Sequence, residues 1–107
     1  MKADAISNFE LMVMLAVMRV GEHAYGVPIA HELTAQRGRA VSRSSLYAAL
    51  DRLGRRGLVS STLGEPTPER GGRAKRYFQV TTRGVRVVRE ARSLLVKLWG
   101  GLAQVEG

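Results

Sequence analysis

The sequence predicts a mainly helical domain that carries one small β-hairpin. Three observations support this fold class. Apolar residues recur at helical spacing in four stretches, residues that favour helix ends stand between those stretches, and the segment from Leu58 to Thr81 contains strand-like alternation around a Gly/Pro-rich turn. Because the chain has 107 residues, this pattern fits one compact unit with a modest core.

The first two helices are predicted from their apolar residues and their ends. Ser7 or Asn8 can cap a first helix that is apolar over most of its circumference, so it is expected to be buried on more than one side. The stretch from Gly21 to Ala24 breaks this helix. The segment Gly26-Val27-Pro28 opens a second helix with proline in the first turn, where its missing N–H is harmless, and Gly38 ends it.

The third helix is predicted from a capping residue and an apolar face. Ser42 is a favourable N-cap. Leu46, Leu50 and Leu53 recur at i, i+4 and i+7, so this face is expected to pack on the other helices while the opposite face turns outward. The outward face is the candidate surface for recognising a binding partner.

A hairpin and a last helix are predicted for the rest of the chain. One strand is expected from Leu58 to Leu63, a tip from Gly64 to Gly72, and the return strand from Arg76 to Thr81. Thr81 or Thr82 caps the last helix. We therefore divide the chain into residues 1–81, with three helices and the hairpin, and residues 82–107, a C-terminal helix of the same compact unit.

Positive charge is concentrated in the middle of the chain. The formal net charge is +8, and residues 37–76 hold ten Arg or Lys against three Asp or Glu, whereas residues 1–36 carry a net −2 and residues 82–107 a net +3. A basic patch confined to the third helix and the hairpin is the electrostatic footprint of a polyanionic partner. A solvated charged surface is the alternative interpretation.

Composition and spacing argue against several other classes of protein. There is no cysteine, and the two histidines, His23 and His31, have the spacing of neither a zinc pair nor a catalytic triad. We therefore expect no enzyme, no cofactor and no metal site. The longest apolar stretch, Leu11 to Val20, is shorter than the roughly 20 residues that span a bilayer, and no secretory signal is evident, so we expect a cytoplasmic protein without membrane contact.

Five separated motifs occur in a characteristic order. They are A-Y-G-V-P-I at Ala24–Ile29, S-x-x-S-L-Y-x-A-L-x-R-L at Ser42–Leu53, R-x-G-L-V at Arg55–Val59, R-G-G-R-A-K-R-Y-F at Arg70–Phe78, and T-x-x-G ending at Gly84. This set resembles the PadR-type winged-helix transcriptional regulators in their short form. The resemblance implies a winged helix-turn-helix with a C-terminal dimerisation helix, sequence-specific binding to DNA, and repression relieved by a small molecule or another signal.

Candidate DNA contacts lie on the third helix and the hairpin. The start of that helix presents free N–H groups and a partial positive charge, which makes it a natural seat for phosphate. Arg43 can read guanine or contact phosphate, and we favour phosphate; Tyr47 can reach the DNA through its hydroxyl or lay its ring over the second helix. The predicted contact residues are Ser42, Arg43, Ser44, Ser45, Tyr47, Arg70, Arg73, Lys75 and Arg76.

The last helix suggests a twofold dimer. Its apolar residues recur at steps of three and four, as in a heptad seam that Gly100-Gly101 interrupts near the end. A second apolar face predicts that this helix and the first one pair with a second copy, and the alternative is a helix folded back on its own domain. The operator would then be near-palindromic. The predicted interface residues are Leu11, Leu15, Val88, Ala91, Leu95, Leu98, Trp99 and Leu102.

A small-molecule effector is implied by the resemblance alone. Met12 and Trp99 are candidates to line its pocket, although a lone tryptophan on an apolar helix is more often part of an interface. Two other functions stay open. One is a non-specific or RNA-associated basic winged helix, which would need exposed stacking aromatics, and the other is a protein-interaction module whose hairpin meets an acidic partner.

Overall fold

The computed structural model describes residues 5–65, 74–102 and 104. Helices α1 (Asn8–Val20), α2 (Gly26–Arg37) and α3 (Arg43–Arg55) come first, with a short 3-10 helix, Gly21–His23, between α1 and α2. Strands β1 (Val59–Leu63) and β2 (Arg76–Val80) form an antiparallel hairpin, and α4 (Thr82–Trp99) follows. The prediction of a mainly helical fold with one small hairpin is confirmed.

The helices begin and end at residues with the expected capping chemistry. Ser7 and Glu10 cap each other at the start of α1, with Ser7 Oγ accepting from the Glu10 N–H at 3.1 Å and the Glu10 carboxylate accepting from the Ser7 N–H at 2.9 Å. The side chains of Ser42 and Thr81 each accept an N–H three residues later, at 3.1 and 3.0 Å. Gly38 ends α2 in the left-handed conformation, with a φ of 79°.

The hydrophobic core lies between α1, α2, α3 and the start of β1. The three leucines predicted from the spacing of α3 are at most 2% exposed, and burying one such side chain contributes about 1.5–3 kcal/mol. α4 adds Val87 and Val88 from its first two turns. The largest fully buried side chains are Met14, Ile29, Leu46, Leu50, Leu53, Leu58, Val13 and Val17.

The root of the hairpin is held to the helices by backbone contacts. The Phe78 N–H donates to the Ala24 carbonyl at 2.7 Å, which ties β2 to the connection between α1 and α2. A Cβ on Gly84 would overlap the carbonyl of Leu58 and the side chain of Val80. The glycine of the T-x-x-G motif therefore permits the close approach that fixes α4 to the hairpin.

The two halves of α4 have different surroundings. The first two turns pack against the body, whereas the residues from Arg92 to Trp99 are exposed, and the molecule measures 56 × 34 × 21 Å. The helix ends at Trp99, so Leu102 lies beyond it, after Gly101 with a φ of 83°. No helix within the described ranges is long and apolar enough to cross a membrane.

Candidate nucleic-acid interface

One face of α3 is exposed along its whole length. Burial of Leu46, Ala49, Leu50 and Leu53 defines the inner side of the helix. With 3.6 residues per turn, the outer side carries residues that are all exposed. These residues are Ser44, Tyr47, Ala48, Asp51 and Arg55.

Hydroxyl groups cluster at the start of α3. Ser42 Oγ accepts from the Ser45 N–H and lies 2.9 Å from Ser44 Oγ, and the first turn contains no acidic residue. Arg43 is exposed beside these groups. The start of the helix thus combines hydroxyl donors, a cation and the partial positive charge of the helix dipole, which together suit a phosphate group.

Arg37 approaches the same end of α3 and was missed by the sequence analysis. It stands in the last turn of α2, and its guanidinium lies 5.8 Å from the centre of the Phe9 ring. Arg37 and Phe9 line a shallow depression that Ser42 and Ser45 complete. The signal in the sequence was the basic residue just before Gly38, which brings the chain back towards α3.

Tyr47 packs against the start of α2. A Cβ on Gly26 would overlap the Tyr47 hydroxyl, so the ring lies over the first turn of that helix, although 45% of the residue is exposed. Of the two interpretations offered for Tyr47, the ring over the second helix therefore describes its position. The close approach also gives a reason for the glycine in the A-Y-G motif.

Two of the four predicted hairpin cations lie in the described part of the chain. Arg76 Nη1 donates to Ser61 Oγ across the hairpin at 2.9 Å. Lys75 Nζ lies 5.1 Å from the centre of the Tyr25 ring, which in turn meets Tyr77 edge-on at 5.8 Å. Both cations are exposed, and they lie where β2 begins, at the tip end of the paired strands. Arg70 and Arg73 lie outside the described residues.

A groove runs between α3 and the hairpin. Its α3 wall includes Tyr47, Asp51 and Arg55, and its hairpin wall includes Ser61 and Arg76. Arg55 Nη2 lies 2.6 Å from Asp51 Oδ2. Each wall thus carries one guanidinium group, and the groove opens to solvent between the two elements predicted to meet DNA.

Glu10 connects α1 to the C-terminal half of α3. Its carboxylate accepts from Arg52 Nε at 2.8 Å and lies 3.9 Å from Arg56 Nη1. Burial alone would raise the pKa of Glu10, but the hydrogen bonds from Arg52 and the Ser7 backbone outweigh it, so the pKa lies below its usual value. This role was not predicted from the sequence, in which the only signal was an acidic residue in a largely apolar helix.

The predicted interface residues are placed in three different ways. Leu15, Leu95, Leu98, Trp99 and Leu102 are 41–64% exposed. Leu11 and Ala91 are half-buried. Val88, in contrast, is 8% exposed and belongs to the core of the protomer, because the first turns of α4 pack on the body.

The two candidate ligand residues are not brought together within one protomer. Met12 lines a depression between α1 and α2, together with Leu15 and Leu33. Trp99 lines a separate depression on α4, with Leu95. Among the described residues, no cluster of histidine and carboxylate side chains is arranged to hold a metal ion.

Comparison with known proteins identifies the family. The family model for the transcriptional regulator PadR-like family matches residues 14–90. A PadR-like transcription factor from Bacteroides fragilis is similar in structure, with a TM-score of 0.70 and 26% identity over 84% of this chain and 82% of that one. A PadR family regulator from Eggerthella lenta gives a TM-score of 0.67 and 28% identity over 88% and 80%.

A third solved structure has a similar fold. The RosR protein of H. salinarum has a TM-score of 0.72 with 23% identity, covering 94% of this chain and 83% of that one. No curated protein is significantly similar in sequence. The family model covers well over half of the chain, and two PadR-type structures share its fold. The chain therefore belongs to the PadR-like family of transcriptional regulators, which bind DNA and are not enzymes.

Proposed function

We propose that this protein is a homodimeric, sequence-specific repressor that binds a near-palindromic DNA operator. The observation that carries this proposal is the shared surface of α3 and the hairpin. The outer face of α3 and Arg76 of the hairpin line one groove, the hydroxyl cluster at Ser42–Ser45 lies at the start of the same helix, and the cations Arg43 and Lys75 are exposed. A helix flanked by a basic hairpin is suited to enter the major groove while the hairpin follows the backbone.

The contacts divide into two kinds. Cations and helix-start N–H groups bind phosphates and position the protein, so we assign this role to Ser42, Arg43, Ser45 and the hairpin cations. Base reading falls to side chains on the outer face of α3, beginning with Ser44. The exposed edge of Tyr47 remains within reach of the same groove.

Dimerisation is the second part of the proposal. The exposed part of α4 presents Leu94, Leu95, Leu98 and Trp99, each 52–64% exposed, and α1, which contacts α4, exposes Leu15 and Met18. Apolar side chains on this scale are typical of a surface that pairs with another protein, and a twofold axis would let one patch cover its copy. Residues 82–107 then act as the dimerisation element.

The twofold symmetry of the dimer accounts for a near-palindromic operator, and the dimer interface offers a binding site for an effector. Two recognition helices related by a twofold axis meet half-sites about one helical turn apart, roughly 34–36 Å. A small molecule that lodges between the subunits, against Met12 and Trp99 of either copy, would change the separation of the recognition helices. This role places the protein in the cytoplasm, with the DNA that it regulates.

Fluorescence anisotropy tests the proposal directly. The purified chain is titrated into a labelled duplex from its own upstream DNA and into a scrambled duplex of equal length, at about 150 mM salt and again at higher salt. We expect binding to the native duplex at least about 10³-fold tighter than to the scrambled one. Equal, strongly salt-dependent binding to both would instead indicate a non-specific binder, and a preference for RNA of the same sequence would indicate an RNA-associated domain.

A further inference from the structure

A single acidic side chain stands on the outer face of α3. Asp51 is the only acid among the residues of α3, and its side chain is 59% exposed. It is seven residues, or about two turns, from Ser44, so the two lie on one line along the helix opposite the buried leucines. The carboxylate therefore lies on the same face of α3 that is proposed to meet DNA.

A carboxylate at this place has a restricted choice of partners. It repels the phosphate backbone, so it cannot serve as one of the contacts that hold the protein on DNA. In the major groove the hydrogen-bond donors are the exocyclic amino groups of cytosine and adenine. An acid on a basic surface thus lowers affinity for DNA in general and can increase it only where the contacted strand presents such an amino group within reach.

Arg55 holds the carboxylate in position. It follows Asp51 by four residues on the same face, and its Nη2 lies 2.6 Å from Asp51 Oδ2. The order of acid before base suits an ion pair at this spacing in a helix. Within the described part of the chain this pair occupies Oδ2, and Asp51 is one of the residues that line the groove between α3 and the hairpin.

We propose that Asp51 is a specificity-determining residue, which accepts a hydrogen bond from the exocyclic amino group of a cytosine or an adenine in the major groove. Arg55 is the positioning residue that orients it. This inference rests on the proposed function, because it requires that the outer face of α3 enters the major groove. It adds that the helix selects bases partly by repelling DNA in which one position of the contacted strand holds guanine or thymine, which have no amino group in the major groove.

Selection from a random DNA library tests the inference. The full chain, Asp51→Ala and Asp51→Asn are each used to select duplexes, and Glu90→Gln, which removes one exposed acid from α4, is the control for net charge. For the native chain we expect a motif with cytosine or adenine favoured roughly 5- to 150-fold at one position of each half-site. Asp51→Ala should lose the preference at this position and keep the rest of the motif. Asp51→Asn should shift the preference towards adenine, with which an amide side chain forms two hydrogen bonds.

The affinity for scrambled DNA supplies a second readout. Both Asp51 variants should bind it about 2- to 5-fold more tightly than the native chain, because a repulsive charge is gone, and the gain with Glu90→Gln should be smaller. A native motif that is unchanged in Asp51→Ala would overturn the inference and leave Asp51 as a surface partner of Arg55. A native chain that selects no motif would overturn the proposed function as well. Because Asp51 is exposed, thermal melting of the variants is expected to match the native chain.

Discussion

The helices α3 and α4 share a pattern but differ in what covers it. Each begins at a hydroxyl cap and carries an apolar stripe. The leucines of α3 are at most 2% exposed, whereas Leu95 and Leu98 of α4 are 52% and 64% exposed. Apolar residues with the same spacing can therefore be buried in the core of the protomer or remain exposed for contact with a second protein. Only the tertiary structure distinguishes the two cases.

The outer faces of the two helices differ as well. α3 presents hydroxyls, a tyrosine and one ion pair, and it lies beside a hairpin that carries further cations. α4 presents charged residues away from its apolar stripe. The roles that we propose follow from this difference: α3 binds DNA, and α4 binds a second copy of the chain.

The largest expected effect comes from opening the core beneath α3. Leu50→Ala should lower the free energy of unfolding by about 2–5 kcal/mol, because it leaves a cavity where a 2% exposed side chain packed. Urea denaturation followed by circular dichroism measures this loss. Leu94→Ala in α4 is the comparison, measured at concentrations low enough to favour the monomer, and it should cost far less. Similar losses in the two variants would remove the distinction between the helices.

A charge on the exposed stripe of α4 should separate the subunits. Leu98→Glu is expected to raise the dissociation constant of the dimer by about 30-fold or more, because a carboxylate would be buried against apolar partners. Analytical ultracentrifugation measures the constant. Ser93→Glu adds the same charge on the opposite side of the helix and should leave the dimer intact. A dimer that persists in Leu98→Glu at micromolar concentration would argue against this interface.

The ion pair between α1 and α3 should make a smaller, pH-dependent contribution to the free energy of unfolding. Glu10→Gln removes the carboxylate that Arg52 and the Ser7 backbone bind, at an expected cost of about 1–3 kcal/mol near neutral pH. Because the pKa of Glu10 is lower in the folded state, its contribution is present above the unfolded value of about 4.3 and is lost as pH falls through the folded pKa.

Unfolding measured at several pH values checks this prediction. The difference in free energy of unfolding between the native chain and Glu10→Gln should shrink as the solution is acidified through the acidic range. The exposed acid Glu22 provides the matched variant Glu22→Gln, which should differ little from the native chain at every pH. A difference that stays constant from neutral to strongly acidic pH would show that the charge of Glu10 does not act as described.

The smallest expected effect concerns the hairpin cations. Lys75→Ala or Arg76→Ala should weaken binding to all DNA sequences alike, because each cation is assigned to a phosphate. The slope of log K against log salt should fall in magnitude by about one unit for each variant. Anisotropy titrations at several salt concentrations measure it. Arg89→Ala on α4 removes an equal charge and should leave the slope as it is, so equal changes in all three variants would indicate a general charge effect.

Local signals predicted most of the fold. The caps at Ser7, Ser42 and Thr81 and the glycine at Gly38 act within a few residues of their own position, so the sequence displays them directly. The strands are each one residue shorter than expected, because the Leu58 N–H donates back to the Leu53 carbonyl and Thr81 caps α4.

Contacts between distant residues were not predictable in the same way. The bond from Arg52 to Glu10 spans 42 positions, and the approach of Tyr47 to Gly26 depends on how α2 and α3 cross. Val88 fits the heptad spacing as well as Leu95 does, yet only Val88 is buried in the protomer, since the body covers no more than the first turns of α4. Spacing identifies an apolar stripe, but it does not say which part of the stripe is covered.

The stoichiometry of the protein–DNA complex tests the central claim most directly. Analytical ultracentrifugation of the native chain with a duplex from its own upstream DNA gives the number of chains on each duplex, with Leu98→Glu as the comparison. We expect two native chains on one duplex, bound together without a stable one-chain complex, and weak binding of single Leu98→Glu chains. One native chain on each duplex, or native and variant chains bound alike, would contradict the assignment of α4 to a second copy.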